Sequence, residues 1–118
     1  MPNRPKQILN VAGTEALRKT RELMLTRAGF LVISAASTRE LNHVCRRTVF
    51  DLAVVDHAFE EDQKVKLAET IRQLSPNLAI LEICRISPVI PGVEHVLRTP
   101  DPAELVREVN RILRGIES

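Results

Sequence analysis

The sequence contains no tryptophan and no tyrosine, and only three phenylalanines. Stacking platforms for single-stranded nucleic acid need exposed aromatic rings, so that mode of binding is excluded. There are two cysteines, Cys45 and Cys84, far apart and outside any CxxC pattern, and no histidine pair at i, i+4. This spacing does not hold zinc, and the two thiols read as reduced and buried in a cytoplasmic protein. Neither sign of charge prevails: 17 Lys and Arg face 15 Asp and Glu, a net charge of +2. That is too small to imply a nucleic-acid or membrane-surface partner. Long apolar runs are also missing. Arg4 and Lys6 are not followed by an apolar export segment, because Asn10 and Gly13 interrupt it, and nothing approaches the length that spans a bilayer. With four glycines and neither GxGxxG nor a Walker pattern, no phosphate-cradling loop is present.

What remains is an ordinary globular balance, 44% hydrophobic and 27% charged over 118 residues. It suits one domain, residues 1–118, with a core large enough to need no staples. Short apolar runs alternate with segments of helical period. Residues 7–12 (QILNVA), 30–35 (FLVISA), 51–56 (DLAVVD), 77–83 (NLAILEI) and 93–97 (VEHVL) read as strands. The third is apolar from Leu52 to Val55, as in a strand covered on both faces.

Between the strands lie four helices. The first, residues 14–28, places Leu17, Met24 and Ala28 inward and Arg18, Arg21 and Glu22 off that face. Gly29 then stands where a left-handed cap belongs. Ser37-Thr38-Arg39-Glu40 is a capping box, followed by Leu41, Val44 and Cys45 on one side. The third helix, residues 60–74, turns Leu67, Ala68, Ile71 and Leu74 inward. The last begins at Asp101-Pro102-Ala103-Glu104, buries Leu105, Val109 and Ile112, and ends at Gly115. The segment CRISPVIPG (84–92) carries Pro88, Pro91 and Gly92 and cannot form a full helix. Its Ile86, Val89 and Ile90 are predicted to tuck over the sheet edge, with an exposed patch for a partner as the alternative. Strand–helix alternation with short connections gives a parallel sheet with helices on both faces.

Ligands of such sheets bind at the carboxyl ends of the strands. Those ends carry Ala12-Gly13, Asp56, Glu82 and Arg98. Here the sequence resembles a family. DLAVVDHAF is similar to the third strand of response-regulator receiver domains, whose terminal Asp accepts a phosphoryl group. LRTPDPAELVREVNRILRG is similar to their last strand and helix, and KQILNVAGTEALRKTRELMLTRAGFLV to their first strand, first helix and second strand. The resemblance implies a flavodoxin-like (CheY-like), doubly wound, five-stranded parallel sheet of order 2-1-3-4-5, here with the fourth helix replaced by the Pro-rich loop.

The resemblance places Asp56 at the phosphoacceptor position. It puts the family's acidic pair on Ala12 and Gly13, its Ser/Thr switch on Glu82 and its Lys on Arg98, with Thr99 where a Pro is usual. Mg²⁺ wants hard oxygen ligands, and Ala12 and Gly13 supply none. Binding of Mg²⁺ is therefore expected to be lost or weak, with Arg98 pairing Asp56, Glu82 or both in its place. The implied function is an atypical receiver in phosphorelay signalling: not an enzyme, but a cytoplasmic module binding a protein partner (a histidine kinase or a downstream regulator) without phosphorylation. The family's last helices and fifth strand also imply a face for a homodimer. Two alternatives stand: a working receiver phosphorylated on Asp56 by a histidine kinase, and a flavodoxin-like domain binding a small molecule near Gly13, Asp56 and Glu82. His57 reads as a solvated loop residue, and His43 and His95 as surface residues.

Overall fold

The computed structural model describes residues 4–117 of the chain, and side chains as far as residue 115. Met1–Asn3 and Ser118 lie outside the described residues, and with them part of the export-segment reading. Nine elements follow in order: β1 (Gln7–Val11), α1 (Glu15–Arg27), β2 (Leu31–Ala35), α2 (Thr38–Cys45), β3 (Leu52–Val55), α3 (Glu61–Leu74), β4 (Ile80–Ile83), β5 (His95–Leu97) and α4 (Pro102–Glu117). The five strands form one sheet of order β2-β1-β3-β4-β5, and every neighbouring pair is parallel. This is the parallel sheet that the alternation of elements predicts, in the doubly wound, flavodoxin-like order that the resemblance implies.

Alternation within the strands divides the core in two. Leu9, Val11, Ala53, Val55 and Ile80 pack with Leu41 of α2 and Leu67, Ala68 and Ile71 of α3. Ile8, Leu52, Val54, Leu81 and Ile83 pack with Leu25 of α1 and with Leu105, Val109, Ile112 and Leu113 of α4. The central strands β3 and β4 are buried along their whole length. The wholly apolar run of β3 is therefore what two helical layers require.

The caps form where the side chains allow. Thr14 Oγ1 accepts the Leu17 N–H at 3.2 Å and Ser37 Oγ the Glu40 N–H at 3.2 Å. The Glu40 carboxylate reaches back to the Ala36 N–H at 2.6 Å, one residue short of the expected N-cap amide. Gly29 takes φ +100°, the left-handed turn that closes α1 and turns the chain into β2.

Several boundaries differ from the sequence reading. β4 starts at Ile80 rather than residue 77, since Pro76 and Asn77 belong to a turn closed by the Leu78 N–H on the Ser75 carbonyl. β5 starts at His95, because Gly92 at φ +64° turns the chain first. α4 runs through Gly115 to Glu117; a glycine inside a helix costs only about 1 kcal/mol and need not stop it. On α1 the predicted face is rotated: Arg21 and Leu25 are buried, whereas Ala28 is exposed. Both cysteines are free, Cys84 buried and Cys45 half-buried. Burial pushes the Cys45 thiol up, with a hydrogen bond from Ser75 opposing.

No helix connects β4 to β5. Within that segment the three apolar side chains separate: Ile90 is 3% exposed and packs with the α2–α3 side of the core, Val89 is half-buried, and Ile86 is 88% exposed. The expectation that all three tuck inward thus holds for Ile90, in part for Val89 and not for Ile86. Ile90→Ala is expected to cost about 2–4 kcal/mol of unfolding free energy. Ile86→Ala should change it by less than about 0.5 kcal/mol. Urea denaturation checks both, and equal effects would contradict this division.

Candidate functional site

Asp56 directly follows β3, and its N–H is bonded to the Val11 carbonyl at 2.9 Å. Its side chain is fully buried. Two places beyond Val54, it points toward the α1–α4 layer. A buried carboxylate requires a cation, and α1 supplies it: Arg21 Nη2 lies 2.9 Å from Asp56 Oδ1, with the arginine side chain 2% exposed. The same oxygen meets His57 Nδ1 at 2.9 Å. Asp56 Oδ2 and Arg21 Nε have no hydrogen-bond partner, and the Nη2 contact is close without being a directed hydrogen bond. Burial pulls the Arg21 guanidinium below its usual range, and the Asp56 charge partly restores it.

A polar layer extends from this pair across the same face. Asn10 of β1, fully buried, donates from Nδ2 to Ser34 Oγ of β2 at 3.1 Å and to the Arg18 carbonyl of α1 at 3.3 Å. Ser34 in turn donates to the Glu22 carboxylate. Helix α1 is thereby held to three strands by polar as well as apolar contacts.

Glu82 does not join this group. It is in register with Val55, so it lies on the opposite face of the sheet, against α3. There Lys64 Nζ meets Glu82 Oε2 at 2.9 Å, and the two side chains are 5% and 0% exposed. β4 also continues one residue past Glu82, to Ile83. The expectation that Arg98 pairs with Asp56, Glu82 or both is therefore overturned. The pleat sends the two carboxylates to different helical layers, and each has its own cation. Arg98 just follows β5, is exposed, and belongs to neither pair.

The other predicted positions fall around Asp56. Ala12 is buried, and by continuation of the β1–β3 register it sits beside Asp56. Gly13 is exposed, yet a Cβ there would come within 3.0 Å of the Ala58 carbonyl oxygen and of the Phe59 ring. The β3–α3 connection is thus closed over the place where a side chain would begin. His57, read as solvated, has a side chain only 11% exposed and bonded to Asp56. His43 is exposed and His95 half-buried.

Reading the sequence missed Arg21, Lys64 and Asn10. For the two cations the signal was present. Arg21 sits midway between Leu17 and Leu25 in an i, i+4 series, and Lys64 extends the inward series Leu67, Ala68, Ile71 by one step. Residue type overrode period in both cases.

These contacts separate the two guanidinium groups experimentally. Arg21→Leu should leave the Asp56 charge buried without a counterion and cost about 3–5 kcal/mol near neutral pH. Arg98→Ala should change stability by less than about 0.5 kcal/mol. Guanidinium denaturation measures both, and a larger loss for the Arg98 variant would refute the assignment.

No protein-family model and no curated protein matches the sequence. Solved structures do match. The CheY-like response-regulator receiver domain protein from Methanospirillum hungatei JF-1 superposes with TM-score 0.81 at 20% identity, covering 97% of this chain and 98% of that one. The chemotaxis response regulator CheY4 of Vibrio cholerae gives TM-score 0.77 at 21% identity, over 92% and 99% of the two chains. A chain from the complex of histidine kinase ThkA with response regulator protein TrrA gives 0.73 at 18% identity, over 92% and 98%. Order 2-1-3-4-5, four helices and these superpositions together give the chain the fold of CheY-like receiver domains.

Proposed function

We propose that the chain is a receiver-type module of two-component signalling that is not switched by aspartyl phosphorylation, and that it acts by binding a protein partner. The observation that carries this reading is the buried contact between Asp56 and Arg21, 2.9 Å apart with neither group appreciably exposed. Phosphoryl transfer to a carboxylate requires that the oxygen be reachable and that a cation stabilise the charge on the transferring group. Asp56 meets neither condition: it is fully buried, and its charge is already balanced from within the chain.

The residues present do not fit Mg²⁺. A hard cation keeping several waters needs more than one carboxylate nearby. Ala12 and Gly13 bring no side-chain oxygen, and the Ala58 carbonyl and Phe59 ring occupy the approach to Gly13. A guanidinium fixed to α1 also repels a divalent ion. No step through a metal is therefore part of this reading, and the module is proposed as a binding protein rather than an enzyme.

The partner class follows by analogy of fold. One structure matched by this chain comes from a histidine kinase–response regulator complex, which supports a histidine kinase as the kind of partner; a downstream regulator as the other candidate, and a cytoplasmic location, are part of the proposal. No helix among the described residues is long and apolar enough to cross a membrane.

A second reading, phosphorylation of Asp56, draws on one detail: its Oδ2 has no hydrogen-bond partner. Intact-mass spectrometry after incubation with acetyl phosphate and Mg²⁺, with Asp56→Asn as control, decides between them. The expected result is no phosphoryl adduct on either protein. A stoichiometric adduct present in the parent and absent from the Asn variant would establish the second reading.

A further inference from the structure

The segment from Cys84 to Glu94 has to do what a crossover helix does in a doubly wound sheet, namely bring β5 alongside β4 without helical hydrogen bonds of its own. A chain of this kind carries backbone N–H groups that must find acceptors when they are covered. Two of them, in the middle of the segment, find the same side chain. Glu82 Oε2 accepts the Val89 N–H at 2.8 Å, and Glu82 Oε1 accepts the Ile90 N–H at 3.0 Å. Glu82 is fully buried. Its charge is met by Lys64 Nζ at 2.9 Å, and the same ammonium donates to the Ile83 carbonyl at 2.8 Å, at the end of β4. Lys64 thereby ties α3 to the strand and to the carboxylate, and the carboxylate ties both to the loop.

We propose that the buried Lys64–Glu82 pair is a clamp standing in for the absent crossover helix: it holds the loop of residues 84–94 in a single conformation. A carboxylate accepting two successive amides is a directed contact. Its strength comes from the full charge on the acceptor. The apolar anchor Ile90 and the Arg72 Nη1 bond to the Pro91 carbonyl at 2.7 Å brace the far side of the loop. Pro88 and Pro91 restrict the backbone between the fixed points. Arg85 and Ile86 are left outside, both exposed. The clamp operates whether or not Asp56 is ever phosphorylated, because it lies on the other face of the sheet.

A clamp differs from a merely stabilising ion pair in where its loss is felt. Replacing a buried pair with apolar residues of similar size often leaves global stability unharmed, but leucine offers nothing to the Val89 and Ile90 amides. The test is residue-resolved amide exchange by NMR on the Lys64→Met/Glu82→Leu double variant, with the Ala12 amide, bonded to the Ala35 carbonyl at 3.2 Å and touched by neither substituted side chain, as internal control. Exchange at Val89 and Ile90 should rise at least about tenfold, the scale of a hydrogen bond to a charged group, while Ala12 keeps its parental protection. Parental exchange at both loop amides, or an equal rise at all three, would overturn the clamp. If the double variant does not fold, Glu82→Gln serves instead. Its single carbonyl oxygen leaves one loop amide facing an NH₂, so one of the two should lose protection, and retention of both would overturn the proposal.

Discussion

A carboxylate sealed inside a protein must meet a positive charge, and the placement of that charge governs the rest of this structure. Asp56 has no exposed surface. Its counterion is the guanidinium of Arg21, carried by the helix that packs on the same face. A dissociable metal ion can enter and leave such a site; a side chain of α1 cannot. The ion pair therefore couples charge balance at the end of β3 to the seating of α1. The Asn10–Ser34–Glu22 series reinforces that seating through β1 and β2. The neighbouring residues add no acid: buried Ala12 brings no second carboxylate, and the β3–α3 connection stands over Gly13.

The second buried carboxylate obeys the same rule on the other side of the sheet. Glu82 is offset from Asp56 by the pleat, so it faces α3 and meets Lys64. Two independent ion pairs, one per helical layer, replace any single network at the strand ends. They also divide the labour. The Arg21–Asp56 contact fixes the end of β3 to α1, and the Lys64–Glu82 contact holds the loop between β4 and β5.

Much of this was legible in the sequence. The five apolar runs, the cap at Ser37, the turn at Gly29 and the helix-breaking prolines all act through neighbours a few residues away; each has its counterpart in the structure, although β4 and β5 begin later than the runs that mark them. The importance of Asp56 and Glu82 as acidic strand ends was legible too. The identity of their partners was not. Arg98 is near them in the order of the strands, but nearness to a strand end says nothing about which face a side chain takes, and its side chain goes to solvent. Arg21 and Lys64 looked like surface residues because long cations usually are, although each occupied an inward step of its helical period.

The sequence by itself determined the order of strands and helices, their layers and the failure of the fourth crossover to become helical, because period, capping and proline geometry are local. Only the tertiary structure decided which cation neutralises which acid. That choice depends on the pleat of β3 and β4 and on the rotation of α1 and α3 about their axes, and both are set by packing the whole core together.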